Sequence, residues 1–191
     1  MRIAFASCMF NRVFSDQPVW RWIADQSPEY LVLLGDSTYF DISNSTHPQN
    51  MDDYTFAQHI HQCYSELIAQ PQFAALVGAL PAGRVKSIWD DHDFLWNDAM
   101  GAEVHPVHSG KVRLSTAFHE AFRGALKLRL KTGSFPASYN DPVFWDMNQP
   151  ALTTPSVQLA PDVWLHLSDG RAFHAVRPGE ICLPAPPPER A

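Results

Sequence analysis

The stretch Tyr30–Asp41, "YLVLLGDSTYFD", decides the fold. Its first five residues are all apolar, as is typical of a strand that is buried on both faces of a parallel sheet. The run ends in Gly35 and Asp36, so the Asp36 carboxylate is expected at the sheet edge where functional loops converge. Two kinds of enzyme place Gly-Asp-Ser here. In a serine esterase Ser37 is the nucleophile, and in a metal-dependent enzyme Asp36 is a ligand.

The segments around this stretch predict an α/β fold. The apolar run "RIAFASCMF", starting at about Arg2, predicts a first strand, and Val19–Gln26 predicts a short helix. Strand, helix and strand with short links form a βαβ unit. A third strand is predicted within Arg84–Phe94, "RVKSIWDDHDF", where it runs into a cluster of acids.

Further along the chain, two amphipathic helices are predicted, over residues 52–69 and 111–130, and Pro71 is expected to end or bend the first. Residues 163–177, "VWLHLSDGRAFHAVR", predict a hairpin with Asp169 and Gly170 as its turn. We expect Asp169 and Arg171 to form that turn and its ion pair. The last fourteen residues, 178–191, contain five prolines and predict an extended, disordered tail.

Composition narrows the class of protein. A length of 191 residues suits one domain, and a formal net charge of −6 argues against binding to a nucleic-acid backbone. The three cysteines form no CxxC pair, which favours a reducing compartment over a disulfide framework. We find no signal peptide and no run of about 20 apolar residues, so we expect a cytoplasmic protein without a membrane span.

The serine esterase reading requires partners for Ser37. A serine nucleophile needs a histidine base and an acid that orients it, and the esterases with this motif supply both from a late Asp-x-x-His. The sequence has nine histidines, and none has Asp three residues before it. Ser37 therefore lacks the partners that its chemistry requires.

A binuclear metal centre finds better support, because three predicted strands each end in metal-binding residue types. These are Cys8 after the first strand, Asp36 with Tyr39 after the second, and Asp90-Asp91-His92-Asp93 after the third. The carboxyl ends of parallel strands meet at one sheet edge. A thiolate, a carboxylate and a phenolate favour a strongly Lewis-acidic ion, while extra carboxylates suit a harder divalent one.

These motifs, "FASC", "LLGDSTYFD" and "WDDHDFLWND", together resemble the N-terminal half of the PhoD-like alkaline phosphatases, which belong to the calcineurin-like metallophosphoesterases. The later segment "VWLHLSDGRAF" is similar to a family segment in which a strand leads to a Leu-Asp-x-Arg-like turn. The resemblance implies an α/β fold in which a β-sandwich is flanked by helices. It also implies hydrolysis of phosphate monoesters and diesters.

The resemblance also implies roles for particular residues. Cys8, Asp36 and Tyr39 match positions that bind iron, and Asp36 would bridge to a second site that holds calcium. Asp91 matches a metal-binding Asn of the wider superfamily, and Asn97 is a possible further ligand. His92 matches the histidine that interacts with the phosphate and the leaving group, so it is the expected catalytic residue.

One feature departs from the family pattern. The family completes its site with a later Gly-Asp-x-His segment, whereas this sequence contains a single Gly-Asp, at Gly35 and Asp36. We therefore expect residues 1–177 to be the N-terminal portion of such a domain, incomplete at its C-terminus. One expected outcome is that the protein is truncated and inactive as a phosphoester hydrolase. Two alternatives stay open: a non-catalytic remnant that binds metal weakly or not at all, and a serine esterase using Ser37. An incomplete sandwich would leave sheet edges uncovered, so we expect self-association.

Overall fold

The computed structural model describes residues 1–42, 44–146 and 156–172, and these form a mixed α/β structure, as predicted. Three strands, β1 (Ile3–Ala6), β2 (Tyr30–Leu33) and β3 (Val85–Ser87), pair in parallel in the order β1-β2-β3. The register places Val32 between Phe5 and Lys86. All four residues of β2 are buried, which explains why the sequence is apolar without alternation there.

Helices make both crossovers between the parallel strands. Helix α1 (Val19–Asp25) joins β1 to β2, and helices α2 (Asp53–Ala69) and α3 (Pro71–Ala79) join β2 to β3. Pro71 ends α2 and is also the first residue of α3, where its missing N–H costs nothing. The side chain of Gln70 caps α3 by accepting a hydrogen bond from the Phe73 N–H at 2.6 Å.

After β3 come a single helical turn, α4 (Asp91–Phe94), and the long helix α5 (Gly101–Lys127). The predicted helix at 111–130 corresponds to the C-terminal part of α5. The additional N-terminal part ends at a kink, where His108 leaves the helical region with φ −127° and ψ 33°. Pro106 lies just before the kink, and a proline inside a helix removes a backbone hydrogen bond.

The structure pairs the predicted first strand of the hairpin with an earlier segment of the chain. A short helix, α6 (Pro142–Trp145), precedes strands β4 (Ser156–Ala160) and β5 (Val163–His166), which pair antiparallel around a two-residue turn at residues 161–162. The predicted first strand is therefore the second strand of the hairpin. Asp169 does form a turn, because its side chain accepts the N–H groups of Arg171 and Ala172, both at 2.9 Å. The expected partner strand lies largely at 173–177, outside the described residues.

Three further predictions remain predictions. The described residues form one three-stranded sheet and one hairpin, not two sheets packed as a sandwich. Self-association has not been tested, although Phe5 on edge strand β1 and Trp22 on α1 are 55% and 64% exposed. The proline-rich segment 178–191 lies outside the described residues.

Among the helices of the described chain, none is long and apolar enough to cross a membrane.

His119 on α5 is the most deeply buried titratable base of the core. Its Nδ1 lies 3.2 Å from the Tyr64 hydroxyl, its ring packs against Trp89, and its Nε2 has no hydrogen-bond partner among the described residues. Burial lowers the pKa of His119 to about 3. The folded protein therefore holds this imidazole neutral, whereas the unfolded chain binds a proton below about pH 6.5.

We predict that His119 makes the fold sensitive to acid. Its effect is absent above about pH 6.5, and stability falls by up to about 1.4 kcal/mol per pH unit below that, because only the unfolded state takes up the proton. His119→Gln keeps an acceptor for Tyr64 and should flatten this slope, measured by urea unfolding between about pH 7.5 and about pH 5.5. The matched control is His105→Gln, at an exposed position of α5, which should keep the wild-type slope. Equal slopes in wild type and His119→Gln would contradict the prediction.

Candidate metal centre

The loops that follow β2 and β3 touch at Gly35. Its φ is +104°, and a Cβ atom added there would lie 2.4 Å from the backbone nitrogen of Asp90. Only glycine combines this backbone conformation with so close an approach. The contact places Asp36, one residue later, beside the acids that follow β3.

The buried carboxylate of Asp93 links the same two loops by hydrogen bonds. Its Oδ2 accepts the Ser37 N–H at 2.9 Å, and its Oδ1 accepts the Asp90 N–H at 2.6 Å. The side chain is completely buried, and burial raises the pKa of Asp93 to about 8, although both backbone donors favour the ionised form. Asp93 therefore connects the two strand ends, and its buried oxygens are used for these backbone hydrogen bonds and not for binding a metal ion.

Three predicted site residues converge where these loops meet. Asp36, Asp91 and His92 each offer a ligand atom, and these atoms all lie within 4.8 Å of one another. The Oδ1 atom of Asp36 is buried and has no hydrogen-bond partner among the described residues. A buried carboxylate oxygen without a donor is costly, and a bound cation would satisfy it. The residues present therefore fit a metal ion.

Cys8 and Tyr39 lie on the other oxygen of Asp36. The Cys8 Sγ is 3.6 Å and the Tyr39 hydroxyl 3.4 Å from Asp36 Oδ2. Burial, together with hydrogen bonds and the nearby charges of Cys8 and Asp36, raises the pKa of Tyr39 well above its usual range. The backbone is strained here as well, because Cys8 and Asp36 have φ of 55° and 51°. Non-glycine residues in this region cost about 1 kcal/mol or more each and cluster at functional sites.

Asn97 lies in the loop that carries the predicted site, and its role as a ligand stays a prediction. Its side chain is exposed, and its amide donates to Asp98 Oδ2 at 2.7 Å. Its backbone N–H donates to Asp41 Oδ2 at 2.8 Å. Through these bonds Asn97 supports the loop that follows α4.

The sequence interpretation missed Asp41. Its Oδ1 lies 2.7 Å from His92 Nδ1, so it fixes the orientation of the imidazole and leaves Nε2 for chemistry. Asp41 closes the stretch "YLVLLGDSTYFD", and its place after a strand end was a signal. Its pairing with a histidine 51 residues away carried no signal in one sequence.

Arg171 was assigned to the wrong partner. Its Nε donates to Asp90 Oδ1 at 2.5 Å, and its Nη2 lies 3.6 Å from Asp91 Oδ1, so the expected ion pair with Asp169 is replaced by pairs across the fold. The Gly101 N–H anchors the backbone of Arg171 by donating to its carbonyl at 2.8 Å. The guanidinium thereby becomes the counter-ion of the acids that follow β3.

The charge balance of the site favours a cation. Burial raises the pKa of the Asp36 carboxyl, and the charges of Asp91 and Asp90 raise it further, while His92 opposes them. A bound metal would reverse this effect, because its charge stabilises the carboxylates. Carboxylate, imidazole, phenolate and thiolate donors together suit a strongly Lewis-acidic ion, and the carboxylates alone suit a harder divalent one.

Comparison of the chain with protein-family models, with curated proteins and with solved structures found no match in any of the three.

We predict that Gly35→Ala disrupts both the fold and the site. The added Cβ meets the backbone of Asp90 and forces an unfavourable φ, so the variant should lose at least about 2 kcal/mol of unfolding free energy. Urea unfolding measures the loss, and calorimetric titration with calcium measures the metal affinity. The matched control is Gly78→Ala in α3, where an added Cβ meets nothing within 4 Å. If both variants were equally stable, the contact at Gly35 would not constrain the fold.

Proposed function

We propose that the chain carries the metal-dependent phosphoester hydrolase site of a PhoD-like enzyme, acting on phosphate monoesters and diesters. One observation carries the proposal: Asp36, Asp91 and His92 converge at the carboxyl end of a parallel sheet, where Asp36 Oδ1 is buried without a partner. From the resemblance to the PhoD-like family we also propose that the three-stranded sheet belongs to a larger β-sandwich.

The protein's own residues divide between two ion positions in this proposal. Cys8, Asp36 and Tyr39 would hold iron, and Asp36 and Asp91 would hold calcium. The bound ions supply Lewis acidity toward the phosphoryl oxygens and toward a water molecule. Asp36 is the central residue, because its Oδ2 faces Cys8 and Tyr39 while its Oδ1 has no hydrogen-bond partner in the part of the chain that the structure describes.

His92 would transfer a proton to the leaving-group oxygen. Asp41 accepts a hydrogen bond from Nδ1 and stabilises the charged imidazole, which leaves a proton on Nε2 available for donation. The ring of Tyr39 packs 4.5 Å from that of His92, centroid to centroid, and limits its rotation. Asp41 acts through His92 and is a positioning residue.

A second candidate, a non-catalytic remnant that binds metal weakly or not at all, is favoured by Arg171. The guanidinium already neutralises Asp90 and reaches Asp91, so the acidic group is partly satisfied without a metal. No observation favours the serine esterase. Ser37 is completely buried, and its Oγ has no hydrogen-bond partner, histidine or other, among the described residues.

The first activity prediction concerns Asp36. The protein loaded with iron and calcium should hydrolyse p-nitrophenyl phosphate and bis-p-nitrophenyl phosphate, and chelator should abolish turnover. Asp36→Asn removes the shared ligand charge and should reduce kcat/KM by at least about 100-fold, whereas Ser37→Ala should retain activity. Bound metal without turnover would support the second candidate. Hydrolysis of a carboxylic ester that resists chelator and is lost in Ser37→Ala would overturn both.

The second activity prediction separates His92 from Asp41. Proton donation matters most for a poor leaving group. His92→Ala should therefore slow the hydrolysis of phenyl phosphate by about 100-fold and that of p-nitrophenyl phosphate by less. Asp41→Asn should lower kcat about 10- to 100-fold, and more for phenyl phosphate than for p-nitrophenyl phosphate, because the imidazole loses the partner that orients it for proton donation. An equal loss with both substrates in Asp41→Asn would show that Asp41 is only structural.

A further inference from the structure

A second cavity, of about 340 Å³, opens on the far side of β3 from β2. It lies between the free edge of β3, the C-terminal half of α5 and the β4–β5 hairpin, which contributes Val157 and the following Leu167. Of the described residues that line it, none belongs to the candidate metal centre. Its volume is at the lower end of the range for small-molecule sites.

The polar part of the cavity is positively charged. Lys86 enters from β3, while Glu120, Arg123 and Lys127 follow one face of α5 at helical spacing. Arg123 pairs with Glu120 at 2.8 Å, so these two charges cancel. Neither Lys86 nor Lys127 forms an ion pair with any described residue. The cavity thus presents two uncompensated positive charges in a chain of net charge −6.

The position of Lys86 is electrostatically unfavourable for its charged ammonium group. It is half-buried, and burial lowers the pKa of its ammonium group, with further lowering by the charges of Arg123, Lys127 and Arg84. Charges that are partly removed from water are normally paired, since an unpaired one keeps the desolvation cost without the compensating attraction. An anion that entered the cavity would offset the desolvation cost of Lys86 and relieve the mutual repulsion of the positive charges.

The strand edge adds hydrogen-bond donors. The Arg84 carbonyl accepts from the Leu31 N–H, and the Ile88 N–H donates to the Leu33 carbonyl. Because alternate residues of a parallel strand bond to the same neighbour, the backbone groups of Val85 and Ser87 point away from β2, toward the cavity they line. Amide N–H groups beside two lysines form a suitable cradle for an oxyanion.

The remaining wall is apolar and open. Val85, Leu126 and Val157 line it, and Cβ atoms added at Gly83 or Gly124 would meet no other atom within 4 Å. The cavity can therefore accommodate an apolar body next to the charged group. Two positive charges match a phosphate monoester, which carries about −1.5 to −2 at neutral pH, better than a single carboxylate.

We propose that this cavity binds the phosphoryl group of a small molecule, with Lys86 and Lys127 as its counter-ions and the apolar wall against its organic part. The site does not depend on the proposed hydrolysis, because it shares no residue with the metal centre. The phosphoryl group could come from inorganic phosphate or from a phosphorylated organic molecule, and the contribution of the apolar wall distinguishes these sources.

Calorimetric titration of the full chain in the presence of chelator tests the proposal, with phenylphosphonate as a probe that cannot be hydrolysed at its P–C bond. We expect a dissociation constant below about 1 mM, with benzoate binding at least about tenfold more weakly. If inorganic phosphate binds as well as phenylphosphonate, the free anion is the ligand; if it binds more weakly, the organic phosphate is. Failure of phenylphosphonate to bind below about 1 mM would overturn the proposal.

Three variants locate the binding, and two further variants serve as controls. Lys86→Gln and Lys127→Gln should each weaken phenylphosphonate binding about tenfold or more, and Gly124→Leu should abolish it by filling the cavity without changing any charge. Lys131→Gln, an exposed lysine that does not line the cavity, is the matched control and should bind as wild type does. Arg171→Gln should also retain binding, which separates this site from the acids of the metal centre.

One alternative explains Lys86 without a ligand. A lysine on an edge strand can serve to prevent pairing with a second chain. In that case Lys86→Gln would increase self-association in light scattering, while phenylphosphonate affinity would be equal in Lys86→Gln, Lys127→Gln and Gly124→Leu. Equal affinity in these three variants, all folded by circular dichroism, would overturn the proposal.

Discussion

The structure depends on the contact between Gly35 and the backbone of Asp90. Each strand of the parallel sheet has only three or four residues, so the sheet alone positions the loops beyond it loosely. The absence of a side chain at Gly35 allows the two loops to touch, and the buried carboxylate of Asp93 then binds an N–H from each of them. The positions of Asp36, Asp91 and His92 all follow from this pair of constraints.

The same contact gathers several carboxylates in a small volume, which is unfavourable without compensation. The structure supplies compensation of two kinds. Arg171 reaches from the segment after the hairpin to pair with Asp90 and Asp91, and backbone N–H groups satisfy Asp93. Of the carboxylates that follow β2 and β3, Asp36 keeps a buried oxygen without a donor among the described residues. In Asp36, Oδ2 contacts Cys8 and Tyr39, while Oδ1 is left for a different partner. A carboxylate shared by two metal ions requires this arrangement.

The two candidate sites use β3 in opposite ways. Beyond its carboxyl end the strand presents acids that suit a cation, while Lys86, in its middle, contributes to a cavity that suits an anion. The sheet separates the two, because the acids meet β2 at Gly35 and the cavity opens on the other edge. Charges of opposite sign are thus kept apart instead of neutralising each other, at the cost of leaving Lys86 repelled by its basic neighbours.

What the sequence by itself determined was local: the buried strand β2 from its unbroken apolar run, the helices α1 and α2 with Pro71 after α2, and the three strand ends that carry Cys8, Asp36 and Asp91. These follow from short-range periodicity and from the rule that parallel strands share one functional edge. Only the tertiary structure decided that Asp41 orients His92, that Arg171 pairs with Asp90 and not with Asp169, and that the hairpin turns at residues 161–162. Each of those outcomes joins groups far apart in the chain or chooses between two adequate turns, and the choice is made by packing and charge across the fold, which no local pattern encodes.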